Sequence, residues 1–196
     1  ALSAVSTMNA VENLNVEIPH WDFEKIKSQA KEKWNNELAK ITIEADDERK
    51  VNFYTAMYHS FMSPVVYNDV NGEYRGLDQN IYKAEGFTNY TTFSLWDTYR
   101  ALHPLYTIIQ QSRTNDIVNS MLVHYEQSVQ KILPVWSHYS NENWCMIGYH
   151  AVPVIVDAYM KGLRKYDVKK AFDAVIASSN YELYDGIGYY KKYGYV

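Results

Sequence analysis

Trp96 and Asp97 stand side by side in TTFSLWDTYRALHP, residues 91–104, where an extended run gives way to a helical one. An aromatic ring beside a fixed carboxylate is the chemistry of a sugar subsite. The ring covers apolar C–H faces and the acid accepts hydrogen bonds from hydroxyls. Ser94 is placed to cap the helix, since its hydroxyl can accept from a free N–H of the first turn. Asp97 then falls in that first turn, where the helix dipole favours a carboxylate. Arg100 and His103 follow on the next turn, and Pro104 interrupts. The same residues also fit a plain capped helix whose tryptophan is core and whose aspartate only serves the dipole.

A second concentration of reactive groups is VWSHYSNENWCMIGYH, residues 135–150, with His138, Glu142, Trp144, Cys145 and His150. Glu142 and Asp97 could together form the carboxylate pair of a hydrolase, but the sequence does not give their separation. Cys145 and His150, five residues apart, match no recurring nucleophile–base pattern, and a buried cysteine is the simpler reading. Arg75 and Asp78 lie in a long connection of the kind that often covers a site, and both also fit ordinary loop charges. The six histidines never give the spacing of a metalloprotease helix, and His59 reads as structural. GEYRG and GIGYY fit no phosphate loop, and Asp46-Asp47-Glu48 reads as a solvated helix start, not a calcium loop.

The elements that would position these residues are mostly helical. Residues 1–19 read as a lead-in with a short helix around 8–14. A long amphipathic helix over 21–41 carries Trp21, Ile26, Ala30, Trp34, Leu38 and Ile41 at helical spacing, with Asp22 near its start as cap. A second, over 47–62, buries Val51, Tyr54, Tyr58, Phe61 and Met62 and stops at Pro64. Residues 65–93 are irregular, and Asn71-Gly72 between short β-formers predicts a hairpin. The helix from Ser94 runs to about His103, and Pro104 either kinks it or begins a second piece through Gln111. Thr114 caps the next helix, whose stripe of Ile117, Val118, Met121, Leu122, Tyr125, Val129 and Ile132 ends before Pro134. Asn141 or Asn143 caps a helix continuing through 151–159, with Gly162 near its end, and Asp167 opens a last one through Ile176. The tyrosine-rich tail, YELYDGIGYYKKYGYV, shows no helical period. Helices joined alternately by short and long connections suit antiparallel hairpins, in a bundle or an arc of an α/α toroid whose long connections gather at one end.

Bulk properties narrow the function classes. The chain has 196 residues, one domain's worth or part of something larger, and its net charge of −4 with scattered basic residues leaves no footprint for nucleic acid. No apolar run is long enough to cross a bilayer, and no signal-like segment opens the chain, which reads from its first residues as mid-protein sequence. One cysteine excludes an internal disulfide and a cysteine-based zinc site. Tyrosine, at 19 against only 6 phenylalanines, suits a polyhydroxylated ligand or helix packing with the hydroxyl at the surface.

Three stretches read together carry a resemblance: FYTAMYHSFMSPVVYNDVNGEYRG, TTFSLWDTYRALHPL and NENWCMIGYHAVPVIVDAYMKG. In order and separation they resemble landmarks of glycoside hydrolase family 92, the calcium-dependent bacterial α-mannosidases, and the likeness runs over essentially the whole chain. The resemblance implies a mainly α fold, with antiparallel helical hairpins forming part of an (α/α)6 toroid and a long hairpin-containing loop. It makes 1–196 a single all-α segment at the start of the catalytic domain, with 1–19 leading in from a preceding β-sandwich. It implies an inverting exo-α-mannosidase that removes terminal mannose from mannose-rich glycans, periplasmic or secreted. In such an enzyme a glutamic acid protonates the leaving oxygen, an aspartate activates water, and calcium binds the sugar's vicinal hydroxyls.

The family's acid motif, its base aspartates and its histidine-rich metal region do not occur in this sequence; Ala84-Glu85-Gly86-Phe87 and Asn141-Glu142-Asn143 only superficially suggest them. No residue here is therefore assigned a catalytic or metal-ligating role, and calcium is a cofactor of the parent enzyme only. Trp96 and Asp97 match the family's substrate-contacting pair. Glu142, Cys145, Met146 and His150 match a second motif near the pocket, and Arg75 and Gly76 match the loop over it. The implied partners are a mannose-containing glycan and the β-sandwich and C-terminal catalytic parts of the same protein, with no nucleic acid and no membrane span. The alternative is a non-catalytic helical module that binds a glycan or a protein. Another α/α-toroid sugar enzyme fits the helices but not the motifs.

Overall fold

Helix starts in the first quarter of the chain follow side chains that can accept a first-turn N–H. The computed structural model describes residues 1–183 and 186–196. Ser6 caps α1 (Thr7–Glu17) by accepting from the Asn9 N–H, and Asp22 caps α2 (Phe23–Leu38) by accepting from Lys25. Asp46 does the same for α3 (Asp47–Ser60) through Arg49, with Asp47 and Glu48 in its first turn.

The irregular stretch forms two small antiparallel ladders. Strand β1 (Val65–Val66) is followed by β2 (Glu73–Arg75), β3 (Ile81–Lys83) and β4 (Tyr90–Thr91), with β1 pairing β4 and β2 pairing β3. The expected hairpin exists, but its turn is at residues 76–80. Asn71-Gly72 instead closes a tight turn before β2, in which the Gly72 N–H donates to Asp69 O at 2.9 Å and the Asp69 N–H to Glu73 O at 2.8 Å.

Four further helices pack as consecutive neighbours. A single turn, α4 (Leu95–Thr98), leads into α5 (Leu102–Ile109), and α6 (Gln111–Gln127) then runs through the centre. A short hairpin, β5 (Ser137–His138) with β6 (Asn141–Glu142), precedes α7 (Ala151–Met160) and α8 (Val168–Asn180). α6 touches α5, α7 and α8. Their shared core includes Phe93, Leu95, Tyr106, Ile117, Met121 and Ala151, all buried. Asp167 caps α8 as expected, accepting from Lys170. The mainly α class read from the sequence is the observed one.

Several local expectations change. The break between α4 and α5 comes at residues 99–101, before Pro104. That proline sits in the first turn of α5, where its missing N–H costs nothing. Thr114 is inside α6 and its hydroxyl donates back to Gln110 O, so it is no cap. α6 stops at Gln127, leaving Val129 86% exposed, while Ile132 is buried from a loop. Neither Asn141 nor Asn143 caps α7, whose cap position is His150, a residue that makes no side-chain capping bond to the helix. On α3 and its C-cap the buried residues are Met57 and Phe61. Val51, Tyr58, Met62 and His59, which reads as structural in the sequence, are exposed. That helix meets α2 along a narrow seam, with the Trp34 and Tyr58 rings 4.5 Å apart. Part of the tail is helical: α9 (Ile187–Tyr193) lies between Gly186 and Gly194, each at positive φ. Tyr184 and Asp185 of that tail lie outside the described residues.

Two surfaces stand apart from this core. α1 docks through amides: Asn9 and Asn13 are buried, donating to Asp69 at 2.9 and 2.7 Å, while Met8, Val11 and Val16 of the same helix are exposed. Between α7 and α8 lies an open apolar groove of about 460 Å³, lined by Ile155, Tyr159, Val168 and Phe172 among others.

Candidate functional site

The Ser94 hydroxyl does not cap its helix. It donates to Asp97 Oδ2 at 2.5 Å and accepts from the indole N–H of Trp136 at 2.7 Å. The expected capping role is corrected accordingly: with Ser94 at φ −87° and ψ 71°, the hydroxyl is spent on side chains. The Asp97 N–H bonds the Ser94 carbonyl instead, at 3.2 Å. Among the described residues nothing donates to Asp97 Oδ1, and the carboxylate is exposed. Trp96 is half-buried. Arg100 lies over its ring at 4.4 Å, with an Nη2–H to the Trp96 carbonyl at 3.0 Å. His103 is buried in the core, and loss of solvent pushes its imidazole down to about 4.

The two chemically dense stretches of the sequence meet here. Besides the Trp136–Ser94 bond, the Phe93 N–H donates to Ser137 O at 2.9 Å and the Tyr139 N–H to Thr91 Oγ1 at 2.9 Å. The Tyr99 ring, at the end of α4, stacks on His150 at the start of α7, 4.3 Å apart and nearly parallel.

Glu142 organises the second stretch from inside. Its side chain is 8% exposed. Its carboxylate accepts from the backbone N–H groups of Val135 (2.9 Å), Trp136 (2.8 Å) and Trp144 (3.1 Å). On its far side stands His124 of α6, whose Nε2 is 3.5 Å away and whose Nδ1 is 3.1 Å from Ser137 Oγ. Burial pushes that imidazole down to about 3, so the contact is a neutral ring against a carboxylate. The loop so held contains strained backbone. Tyr139 and Ser140 have φ of 44° and 60° and form the two-residue turn of the β5–β6 hairpin, and Trp144 and Met146 have φ of 54° and 69°. Non-glycine residues stay in the left-handed region only where their surroundings over-determine them, and the three N–H bonds to Glu142 are such a constraint. At Gly148, φ is 86° and a Cβ would come within 2.6 Å of the His150 ring, so this position needs glycine.

Cys145 is exposed, which corrects the buried reading: residues 143–149 cross the surface before α7 begins, and Met146 is exposed with it. Arg75 and Gly76 belong to another flank. Arg75 donates from Nε to Ala4 O at 2.8 Å and from Nη1 to Gln79 O at 2.9 Å, fastening the lead-in segment. Gly76 is buried against Tyr82 and Gln127. The flanks communicate through Gln79, which donates to Ser140 O at 3.1 Å, and through a Tyr67–Ser140 hydroxyl pair. A cleft of about 660 Å³ opens there, lined by Asp69, Arg75, Tyr67, Tyr139 and residues of the lead-in.

Trp136, His124 and Ser137 carry no sequence signal that singles them out. His124 sits one turn after Met121 on a helix that reads as core, and nothing in VWSHYS marks the tryptophan whose indole reaches Ser94. Among the described residues no three His, Cys, Asp or Glu side chains are placed to share an ion, and no helix is long and apolar enough to cross a membrane.

The profile of the glycosyl hydrolase family 92 catalytic domain matches residues 9–196. The chain belongs to glycoside hydrolase family 92. Among solved structures, the family 92 chain is similar to the α-mannosidase BT3965 from Bacteroides thetaiotaomicron, with 48% identity and a TM-score of 0.93 over 96% of this chain and 25% of that one. It is also similar to the inverting mannosidase BT2199 from the same organism, with 31% identity and a TM-score of 0.89 over 99% of this chain and 27% of that one. An uncharacterized secreted glycosidase of Arthroderma benhamiae is 26% identical over all of this chain and 22% of its own length. The family 92 chain thus spans about a quarter of the length of these relatives.

Proposed function

We propose that this chain is part of an inverting exo-α-mannosidase and supplies one wall of the site that holds a terminal mannose. The observation that carries the reading is the likeness to BT3965, at 48% identity, a structure also solved in complex with mannoimidazole. The local geometry agrees with it. Trp96 offers a half-buried ring for the apolar face of a sugar, and Asp97 offers an exposed carboxylate oxygen for a hydroxyl. His150 and Glu142 hold the loop beside that wall, and Cys145 and Met146 lie exposed on it. Arg75 and Gly76 shape the neighbouring flank.

In this reading the general acid, the base and the calcium ligands belong to other parts of the protein. Residues 1–196 are one segment of the toroid, mainly α with short β ladders, and 1–19 lead in from a β-sandwich. The groove between α7 and α8 is the seat of further helices of the same catalytic domain, and its apolar lining supports that role. The substrate is a mannose-terminated glycan met in the periplasm or outside the cell; the secreted description of the Arthroderma relative supports that compartment.

The test is hydrolysis of an aryl α-mannoside by the full-length enzyme, with calcium and with chelator, and with the anomer of the released sugar followed by NMR. We expect calcium-dependent release of β-mannose, and a loss of roughly a hundredfold or more in kcat/KM for Asp97→Ala, as for removal of a charged hydrogen bond to substrate. Glycan binding without turnover would instead identify a non-catalytic module.

A further inference from the structure

We propose that Trp136 is a positioning residue for Asp97, acting through the single hydroxyl proton of Ser94. The proposal rests on the proposed function, in which Asp97 takes a sugar hydroxyl.

A serine hydroxyl has one proton to give and two lone pairs, whereas an indole N–H can only donate. With Trp136 Nε1 donating into Ser94 Oγ at 2.7 Å, that oxygen's proton is directed away from the indole. It goes to Asp97 Oδ2 at 2.5 Å. The carboxylate is then fixed through one oxygen, and Oδ1 is left as the acceptor for a ligand hydroxyl. Without the indole the hydroxyl can rotate, and Asp97 becomes one of many mobile surface aspartates.

Trp136 is itself firmly held. Its own N–H donates to Glu142, its carbonyl accepts from the Asn143 N–H at 3.2 Å and from Asn143 Nδ2 at 3.1 Å, and its ring lies 5.6 Å from that of His138. It is half-buried and lies outside the apolar core, so its indole is not explained by packing. The path from the core runs from His124 to Glu142, to the Trp136 backbone, to the indole, to Ser94 and to Asp97.

The experiment uses the full-length enzyme and an aryl α-mannoside, with Trp136→Phe, Ser94→Ala, Asp97→Ala and the Trp136→Phe/Asp97→Ala double variant. Trp136→Phe keeps a ring and removes the N–H. The expected result is a fall in kcat/KM of about tenfold, equivalent to about 1.4 kcal/mol, carried by KM, with kcat within about twofold of wild type. Ser94→Ala should reproduce it, which keeps the test open if the tryptophan variant misfolds. In the Asp97→Ala background, Trp136→Phe should have no further effect. Equal losses in both backgrounds, or wild-type kinetics for Trp136→Phe and Ser94→Ala, would overturn the proposal. If instead Asp97→Ala is itself as active as wild type, the assignment of Asp97 fails first and takes this one with it.

Discussion

His124 Nε2 faces a Glu142 carboxylate oxygen at 3.5 Å, and the histidine is neutral there. The pairing therefore owes nothing to histidine charge at neutral pH. It costs the fold stability in acid, because the unfolded ring titrates at its ordinary value of 6.5 while the folded one waits until about 3. His103, held at about 4, behaves in the same way. Both folded values are depressed, so unfolding takes up protons as pH falls below 6.5, and the native state loses ground. Between about pH 6 and 4.5 unfolding takes up between one and two protons through these rings, so stability should fall by roughly 2 kcal/mol per pH unit. Urea midpoints across that range check this, and His124→Gln should remove about half of the slope.

Glu142→Ala strips the acceptor from three backbone N–H groups at once. A loss of about 3 kcal/mol or more is expected, since a hydrogen bond to a charged group contributes about 1.5–3 kcal/mol. The residues with positive φ between 139 and 146 should relax with it. Denaturant titration gives the energy, and faster amide exchange limited to residues 135–150 gives the location. A variant as stable as wild type would contradict the loop's dependence on this carboxylate.

Gly76→Ala places a methyl group 2.7 Å from the Tyr82 ring and 2.9 Å from the Gln127 amide carbon. Gln127 cannot swing away without losing its bond to the Tyr74 hydroxyl at 2.9 Å. Overpacking of this kind costs about 1–3 kcal/mol, and a lowered thermal midpoint with unchanged secondary structure by circular dichroism is the expected outcome.

Cys145 should react with an aromatic disulfide reagent in the native chain, at one thiol per molecule and without denaturant. Cys145→Ser should shift stability by less than about 0.5 kcal/mol, as at other exposed positions. A thiol that reacts only in denaturant would contradict the exposed loop.

The starts of α2, α3 and α8 are legible in the sequence because their caps are local. Asp22, Asp46 and Asp167 each accept from an N–H three residues on, a pattern visible in one dimension. Ser94 looks the same in the sequence and does something else, since its hydroxyl is claimed by Trp136, 42 residues away. Thr114 misleads for a related reason: its back-bond to Gln110 is as local as a cap but of opposite sense. The Trp96–Asp97 pair is legible as residue types, and the meeting of its stretch with residues 135–150 is not. The strained turn at Tyr139-Ser140 carries neither of the glycine or asparagine signals that mark such turns. Cys145 reads as buried because a cysteine next to an apolar run resembles core, and the chain reaches its helix only at Ala151.

α1 is attached to the rest of the molecule by amides that donate to the carboxylates of Asp69 and Glu73, with Met8, Val11 and Val16 turned outward. Heat capacity rises on exposing apolar surface and falls on exposing polar surface. Detachment of α1 would therefore contribute little to the heat-capacity change of unfolding, which melting of the α5–α8 core would dominate. Release of α1 would be recorded most directly by amide exchange at Asn9 and Asn13, with little mark on the heat-capacity baseline.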